Sequence, residues 1–250
     1  MIIQYASDLH LENPENKKIL QKRPLIPKGE ILILAGDIVP FSQIDQHKDF
    51  LDYCSNHFET VYWLPGNHEY YQEDLKHKND ILNESIRSNV YLVNNSIIQK
   101  EESRFIFTTL WSFISKVQEA KITRILADFK YIKQNNALLS IEQYNQMHTN
   151  CLSFLKTSLD APLGGKNIIV THHVPTLLNY PKKLLRTGLQ EAFAIELKDY
   201  ITALNDQNIH CPYWIYGHHH TNVPDFKIAN TLLTTNQLVK GFDREKIITL

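Results

Sequence analysis

Ile31-Leu32-Ile33-Leu34-Ala35-Gly36-Asp37 begins as an apolar run of strand character and ends on a glycine and a carboxylate. The same design recurs along the chain. Asp8-Leu9-His10 follows Ile2-Ile3-Gln4-Tyr5, and Gly66-Asn67-His68-Glu69 follows Val61-Tyr62-Trp63-Leu64. Thr171-His172-His173 follows Ile168-Ile169-Val170, and Gly217-His218-His219-His220 follows Tyr213-Trp214-Ile215-Tyr216. Such runs, alternating with helix-like stretches through Leu64, predict β-α-β units and a partly parallel sheet, hence an α/β fold. In these sheets ligands gather beyond the carboxyl ends of strands, so the clusters are expected to converge.

Chemically the clusters are a stock of metal ligands, and seven of the twelve histidines lie in them. Asp8 and His10 are two residues apart, so an extended segment would project both from one face. Gly36 and Gly66 lack side chains and so permit tight turns and close approach of backbone to an ion. Carboxylates, an Asn carbonyl oxygen and imidazoles form a mixed set that suits manganese, iron or zinc and suits calcium poorly. No cysteine takes part, which argues against a closed structural zinc site.

Asp8, His10, Asp37, Asn67, His172, His218 and His220 exceed the needs of one ion. They divide between two divalent metal ions sharing a carboxylate; such ions sit roughly 3.5–4 Å apart and clamp the oxygens of a phosphoryl displacement. With two carboxylates and one hydroxide the centre keeps a charge of about +1, which attracts a phosphate oxygen. Singly, each Asp or Asn behind a strand is an ordinary turn former. Residue types, order and strand context together favour the metal centre.

With 250 residues and 43% hydrophobic content, the chain can bury one large core without a second domain. Its 26 basic and 27 acidic residues give a net charge of -1, no footprint for bulk nucleic acid or an anionic membrane. The first ligand cluster follows Met1 too closely for a signal leader, and no segment has the length of a membrane span. Cys54, Cys151 and Cys211 are odd in number and far apart, which suits reduced thiols. A cytoplasmic location is expected.

Helical spacing is read over Gln43 to Phe58, Gln72 to Arg87 and Ser140 to Leu159, the last ended by a turn at Ala161 to Gly165. A further helix is expected around Glu191 to Leu204. Strands are expected at Val90 to Val93, Ile97 to Gln99 and Arg104 to Leu110. A strand-rich tail over Lys227 to Ala229, Thr231 to Thr235 and Lys246 to Leu250 suggests a second sheet packed on the first.

At the five clusters the chain strongly resembles the calcineurin-like metallophosphoesterases. Their pattern is Asp-x-His, Gly-Asp, Gly-Asn-His-Asp/Glu, a His after a late strand, and Gly-His-x-His. All five blocks stand in order from Asp8 to His220, and five in order are far more specific than any one. The resemblance implies a single domain over 1–250, a four-layer sandwich of two packed mixed β-sheets flanked by helices. It implies that Asp8, His10, Asp37 and His220 hold one metal, and that Asp37 bridges to a second completed by Asn67, His172 and His218. His68 would stay off the metals, stabilise charge at the scissile phosphate and assist the leaving group after attack by a metal-bridging hydroxide. One departure follows the last block: many relatives carry an Asn-Pro-x-Gly turn where this chain reads Asn236-Gln237-Leu238-Val239-Lys240-Gly241.

The expected function is therefore hydrolysis of a phosphate mono- or diester, with a small phosphorylated substrate. The alternatives are a nuclease or cyclic-nucleotide phosphodiesterase, with the neutral overall charge counting against binding of a long polymer, and a non-catalytic metal-binding scaffold for protein partners. Glu69 reads as a structural hydrogen-bond partner, whereas His173 and His219 stay open between support and substrate contact. His47, His57, His77, His148 and His210 read as surface or core residues. The stretch 111–136, with Trp111, Phe113, Arg124, Asp128, Phe129, Lys130 and Tyr131, is a candidate rim or lid, or else an ordinary packed helix. Lys182-Lys183-Leu184-Leu185-Arg186 could meet a substrate anion or simply be a solvated loop. Substrate identity and oligomeric state are not legible.

Overall fold

The computed structural model describes residues 1–77, 81–160 and 165–250. Fourteen strands are named β1 (Ile2–Ala6), β2 (Ile31–Ala35), β3 (Thr60–Leu64), β4 (Leu82–Arg87), β5 (Val90–Asn94), β6 (Ser96–Lys100) and β7 (Ser103–Thr108). The rest are β8 (Lys133–Gln134), β9 (Ala137–Leu138), β10 (Lys166–Thr171), β11 (Tyr213–Tyr216), β12 (Phe226–Ile228), β13 (Thr231–Thr235) and β14 (Ile247–Thr249). The helices are α1 (Pro14–Lys22), α2 (Lys48–His57), α3 (Glu119–Ile125), α4 (Asp128–Tyr131), α5 (Ile141–Asp160), α6 (Lys182–Leu185) and α7 (Lys198–Asp206).

Two six-stranded sheets form, in the orders β14-β1-β2-β3-β5-β4 and β12-β13-β11-β10-β7-β6. The central strands are parallel: β1 on β2, β2 on β3, and β10 between β7 and β11. Antiparallel pairing occurs at the edges, as β4 on β5 and β6 on β7.

Strand periodicity builds the layers. In β2, Ile31, Ile33 and Ala35 face the second sheet, where they meet Phe105, Phe107, Ile168, Val170 and Ile215. Leu32 and Leu34 point the other way, into a core shared with Leu20 of α1 and Leu51 and Cys54 of α2. Ile106, Ile169, Trp214 and Leu233 line the outer face of the second sheet, under Leu155 and Leu159 of α5 and Ile201 and Leu204 of α7. Because every β2 side chain is buried, the strand reads as a continuous apolar run rather than an alternation. The result is the expected four-layer α/β sandwich.

The tail divides between the sheets: β12 and β13 extend the second, while β14 returns to pair with β1 in the first. Among the described residues the helix expected over Gln72 to Arg87 is not formed; residues 78–80 of that stretch lie outside them. Leu82–Arg87 is instead an edge strand on β5, with only Leu82 fully buried and Ile81 68% exposed. Its apolar residues matched helical spacing, but the ladder offered by β5 satisfies its backbone. The helix expected around Glu191 to Leu204 is shorter, because Ala194 bridges to Val174 and α7 begins only at Lys198. Of the turn expected at Ala161 to Gly165, residues 161–164 lie outside the described residues, as does the side chain of His77. No helix among the described residues is long and apolar enough to cross a membrane.

Candidate metal centre

The carboxyl ends of β1, β2 and β3 meet those of β10 and β11, and hydrogen bonds across the junction tie them together. The His218 amide donates to both carboxylate oxygens of Asp8 at 3.0 and 3.1 Å. The His68 amide donates to Asp37 Oδ1 at 2.9 Å, and His172 Nδ1 donates to the Ala35 carbonyl at 2.9 Å. All five sequence clusters are thereby brought to one place.

The local backbone is not the extended one that the Asp8/His10 spacing suggested. Asp8 (φ 55°), His10 (φ 43°), Asp37 (φ 57°), His218 (φ 78°) and His220 (φ 47°) all occupy the left-handed region. For residues with a Cβ this costs of order 1–3 kcal/mol each, and it persists only where surroundings over-determine the conformation. Here the amides of Asp8 and His10 are pinned to the carbonyls of Gly36 and Asp37, both at 2.9 Å. Side chains therefore converge because tight turns aim them inward, not because a strand alternates.

Ligand atoms of Asp8, His10, Asp37 and His220 lie within 4.8 Å of one another, as do those of Asp37, His172 and His218. His10 Nε2 and His220 Nε2 are 3.0 Å apart, and His172 Nε2 is 3.3 Å from Asp37 Oδ2. With a metal–nitrogen bond of roughly 2.1 Å, neighbouring ligands at a right angle would be about 3.0 Å apart, so this spacing suits a shared ion.

Second nitrogens are engaged in three of the four histidines of these groups. His172 Nδ1 is held by Ala35, His10 Nδ1 lies 3.1 Å from Glu12 Oε1, and His218 Nε2 lies 3.3 Å from the Ala192 carbonyl. Each acceptor fixes the tautomer that leaves the opposite nitrogen free to coordinate. Asp37 Oδ2, Asn67 Oδ1 and His172 Nε2 are buried without any hydrogen-bond partner. Three buried orphans from three loops are what an ion-binding cradle leaves behind, and the donor set fits a divalent cation. Gly66 completes the cradle: a Cβ there would come within 2.6 Å of His172 Nε2 and collide with Asp37 Oδ1.

Electrostatics agree. Burial opposes protonation of His10 and His172, yet carboxylates, Glu12 and Asp37 foremost for His10 and Asp37 for His172, carry each up to about 9. Despite full burial, Asp37 is held well below the usual carboxylate range by His172 and His68. A field that favours imidazolium this strongly favours a bound cation equally.

His68 lies against this cluster. Its ring stacks on Tyr71 with centroids 4.1 Å apart, its Nδ1 is 3.3 Å from Glu12 Oε1, and its side chain keeps 27% exposure. Glu12 was absent from the sequence expectations; the signal was its place two residues beyond His10. Asp128 is fully buried and accepts from Asn67 Nδ2 at 2.7 Å and from the Tyr71 hydroxyl at 2.8 Å. That grip on the amide nitrogen turns the Asn67 carbonyl oxygen away from it. Glu69 accepts from the amides of Asp37 (2.9 Å), Ile38 (2.7 Å) and Gly66 (2.6 Å) and from Trp63 Nε1 (3.0 Å). One buried carboxylate thus staples the β2 loop to the β3 loop.

His173 and His219 are both buried beside the centre. His173 is buried against Trp111, and burial with the neighbouring His172 pushes it down to about 3, so it is neutral. His219 Nδ1 accepts from Gln237 Nε2 at 2.8 Å and is packed by Tyr180 and Tyr216. In the 111–136 stretch Trp111, Asp128 and Phe129 are buried, while Phe113 and Tyr131 are about half exposed (49% and 50%).

A family profile described as calcineurin-like phosphoesterase matches residues 3–222, a span that contains every one of these loops. The chain belongs to the calcineurin-like phosphoesterases. It is a metal-dependent hydrolase of phosphoric esters, and the family's two-metal chemistry has a His/Asp cluster here that could hold the ions. An uncharacterized protein of Acanthamoeba polyphaga mimivirus is 29% identical over 275 residues, covering 98% of this chain and 92% of its own. Among solved structures, phosphopantetheinyl hydrolase from Mycobacterium tuberculosis shares the fold, with a TM-score of 0.62 and 18% identity over 95% of this chain and 89% of that one. A dimetal phosphatase from Danio rerio aligns with a TM-score of 0.47 and 13% identity, over 95% of this phosphoesterase and 87% of its own chain.

Proposed function

We propose that the protein hydrolyses a small phosphate mono- or diester at a two-cation centre. Asp8, His10, Asp37 and His220 would hold one ion, and Asn67, His172 and His218, with Asp37 shared, would complete the second; manganese, iron or zinc suits this set. When bound, the ions supply Lewis acidity toward the phosphoryl oxygens and a water of lowered pKa as nucleophile. His68 gives a proton to the leaving oxygen. Glu12 and the stacked Tyr71 fix its ring, and its partial exposure leaves it within reach of substrate. Asp128 orients Asn67, and 111–136 forms a rim beside the centre. The single observation that carries this reading is the set of buried atoms Asp37 Oδ2, Asn67 Oδ1 and His172 Nε2, which no hydrogen bond satisfies and of which Asp37 Oδ2 and His172 Nε2 lie 3.3 Å apart, as two ligands of one ion would.

A cytoplasmic location accords with three buried free thiols, Cys54, Cys151 and Cys211. The test is turnover of para-nitrophenyl phosphate and bis-para-nitrophenyl phosphate after reloading with manganese. Asp37→Ala should abolish it and His68→Ala should lower kcat by about 10²–10⁴-fold. Full activity in either variant refutes the role given to that residue, and a metal-loaded wild type inert to both esters supports the scaffold alternative.

A further inference from the structure

His220 is the outward face of the centre: its side chain is 51% exposed, whereas Asp8, Asp37 and His172 are sealed. Beside it opens a pocket of about 480 Å³, walled by the loop after His220 and by the turn through Val239, Lys240 and Gly241. Lys183, Lys240 and Lys246 line it, and no Asp or Glu does. In a chain of net charge -1 that is a local excess of cations.

The three lysines are not equivalent. Lys246 Nζ lies 2.8 Å from Asp225 Oδ1 and is neutralised there. Lys183 and Lys240 form no salt bridge among the described residues. Both nevertheless spring from anchored backbone. The Asn222 side chain accepts from the Gln237 amide (2.8 Å) and donates to the carbonyls of Gln237 (2.9 Å) and Lys240 (3.4 Å). Gln237, fully buried, ties the same turn to His219 and Thr221. The turn that departs from the family's Asn-Pro-x-Gly is thus held by side chains instead of a proline, and it carries a lysine to the pocket. Lys183 follows Tyr180, which is buried against the His219 ring with centroids 5.6 Å apart.

We propose that this pocket receives a second phosphoryl group, so that the preferred substrates are small molecules bearing two phosphates, one at the metal centre and one between Lys183 and Lys240. The inference rests on the two-cation reading of the adjoining centre. Two ammonium groups without an ion-pair partner line one pocket, and a phosphate dianion matches their charge. A pocket of this volume holds the body of a nucleotide-sized molecule. Two cations are too few for the basic track that a polymer requires.

The test compares adenosine 5′-monophosphate with adenosine 3′,5′-bisphosphate, by phosphate release from manganese-loaded protein and by calorimetric binding to manganese-loaded His68→Ala protein, in which turnover is slowed. The bisphosphate should be preferred roughly tenfold in kcat/KM, mainly through KM, and Lys183→Ala or Lys240→Ala should each shrink that ratio by roughly threefold, as exposed ion pairs allow. In calorimetry the same variants should weaken the bisphosphate and spare the monophosphate, with unchanged melting temperatures. Equal affinity for both nucleotides in the wild type, a preference that survives the double variant, or tighter binding of a short oligonucleotide than of the bisphosphate overturns the proposal. Bisphosphate selectivity in binding without any ester turnover would leave the pocket standing and remove the hydrolytic reading.

Discussion

Replacing Glu69 with Gln keeps size and shape and removes half of the acceptor capacity. In the structure Oε1 receives Ile38 N and Trp63 Nε1, and Oε2 receives Asp37 N and Gly66 N. A Gln amide can serve one of those corners with its oxygen; at the other its NH₂ faces two N–H donors head-on. Burial and the neighbouring Asp37 carboxylate raise the Glu69 carboxyl to about 7 despite its hydrogen bonds, yet four donors and no acceptor around it favour the carboxylate. Leaving two buried donors unpaired at ~1–3 kcal/mol each predicts a loss of roughly 2–6 kcal/mol. For a chain of this size that lowers the melting temperature by roughly 5–20 °C. The comparison is made by circular dichroism melts and urea titrations of both proteins in chelator, so that metal binding contributes to neither. Asp37 and Gly66 are the donors lost at one corner, so metal affinity should also fall. A variant within about 0.5 kcal/mol of wild type would refute the claim that this carboxylate staples the two loops.

Gly66→Ala drives a methyl group into His172 and Asp37, at an expected cost of ~1–3 kcal/mol and with less metal retained after desalting; full retention would show that the cradle can relax. Asp128→Ala strands the Asn67 amide and the Tyr71 hydroxyl and should weaken the second ion by 10–100-fold in calorimetry, whereas unchanged affinity would deny Asp128 a positioning role. His148 is lowered from 6.5 by burial and by Lys156, against its bond to the Trp111 carbonyl, so the unfolded chain takes the proton first. Its contribution is present above pH 6.5 and lost as pH falls below it. Urea midpoints of metal-free protein should therefore drop from about pH 7 to 5, less steeply in His148→Asn, and identical slopes would contradict that sign.

Much of this architecture was legible because the strands that carry it are short apolar runs ending on functional residues. Ile31 to Asp37 shows why: a buried parallel strand has no polar side chain until it leaves the sheet. What escaped depends on distance in sequence. Asp128 grips Asn67 across 61 residues, a contact with no local signature. Glu12 stood in plain view, but only the folded loop shows it reaching both His10 and His68. Leu82–Arg87 misled because its apolar spacing fits a helix, while the neighbouring β5 edge decides the outcome. The pairing of Asp8 with His10 was legible for the wrong geometric reason, since left-handed turns rather than alternation aim them.

The central claim is that two ions share Asp37 and are otherwise held by separate histidines. Metal counting by plasma mass spectrometry, on manganese-reloaded and desalted protein, tests it directly. The account predicts two ions per chain in the wild type, one in His10→Ala, one in His218→Ala, and none in the double variant. A single ion in the wild type, or one ion surviving in the double variant, would contradict it.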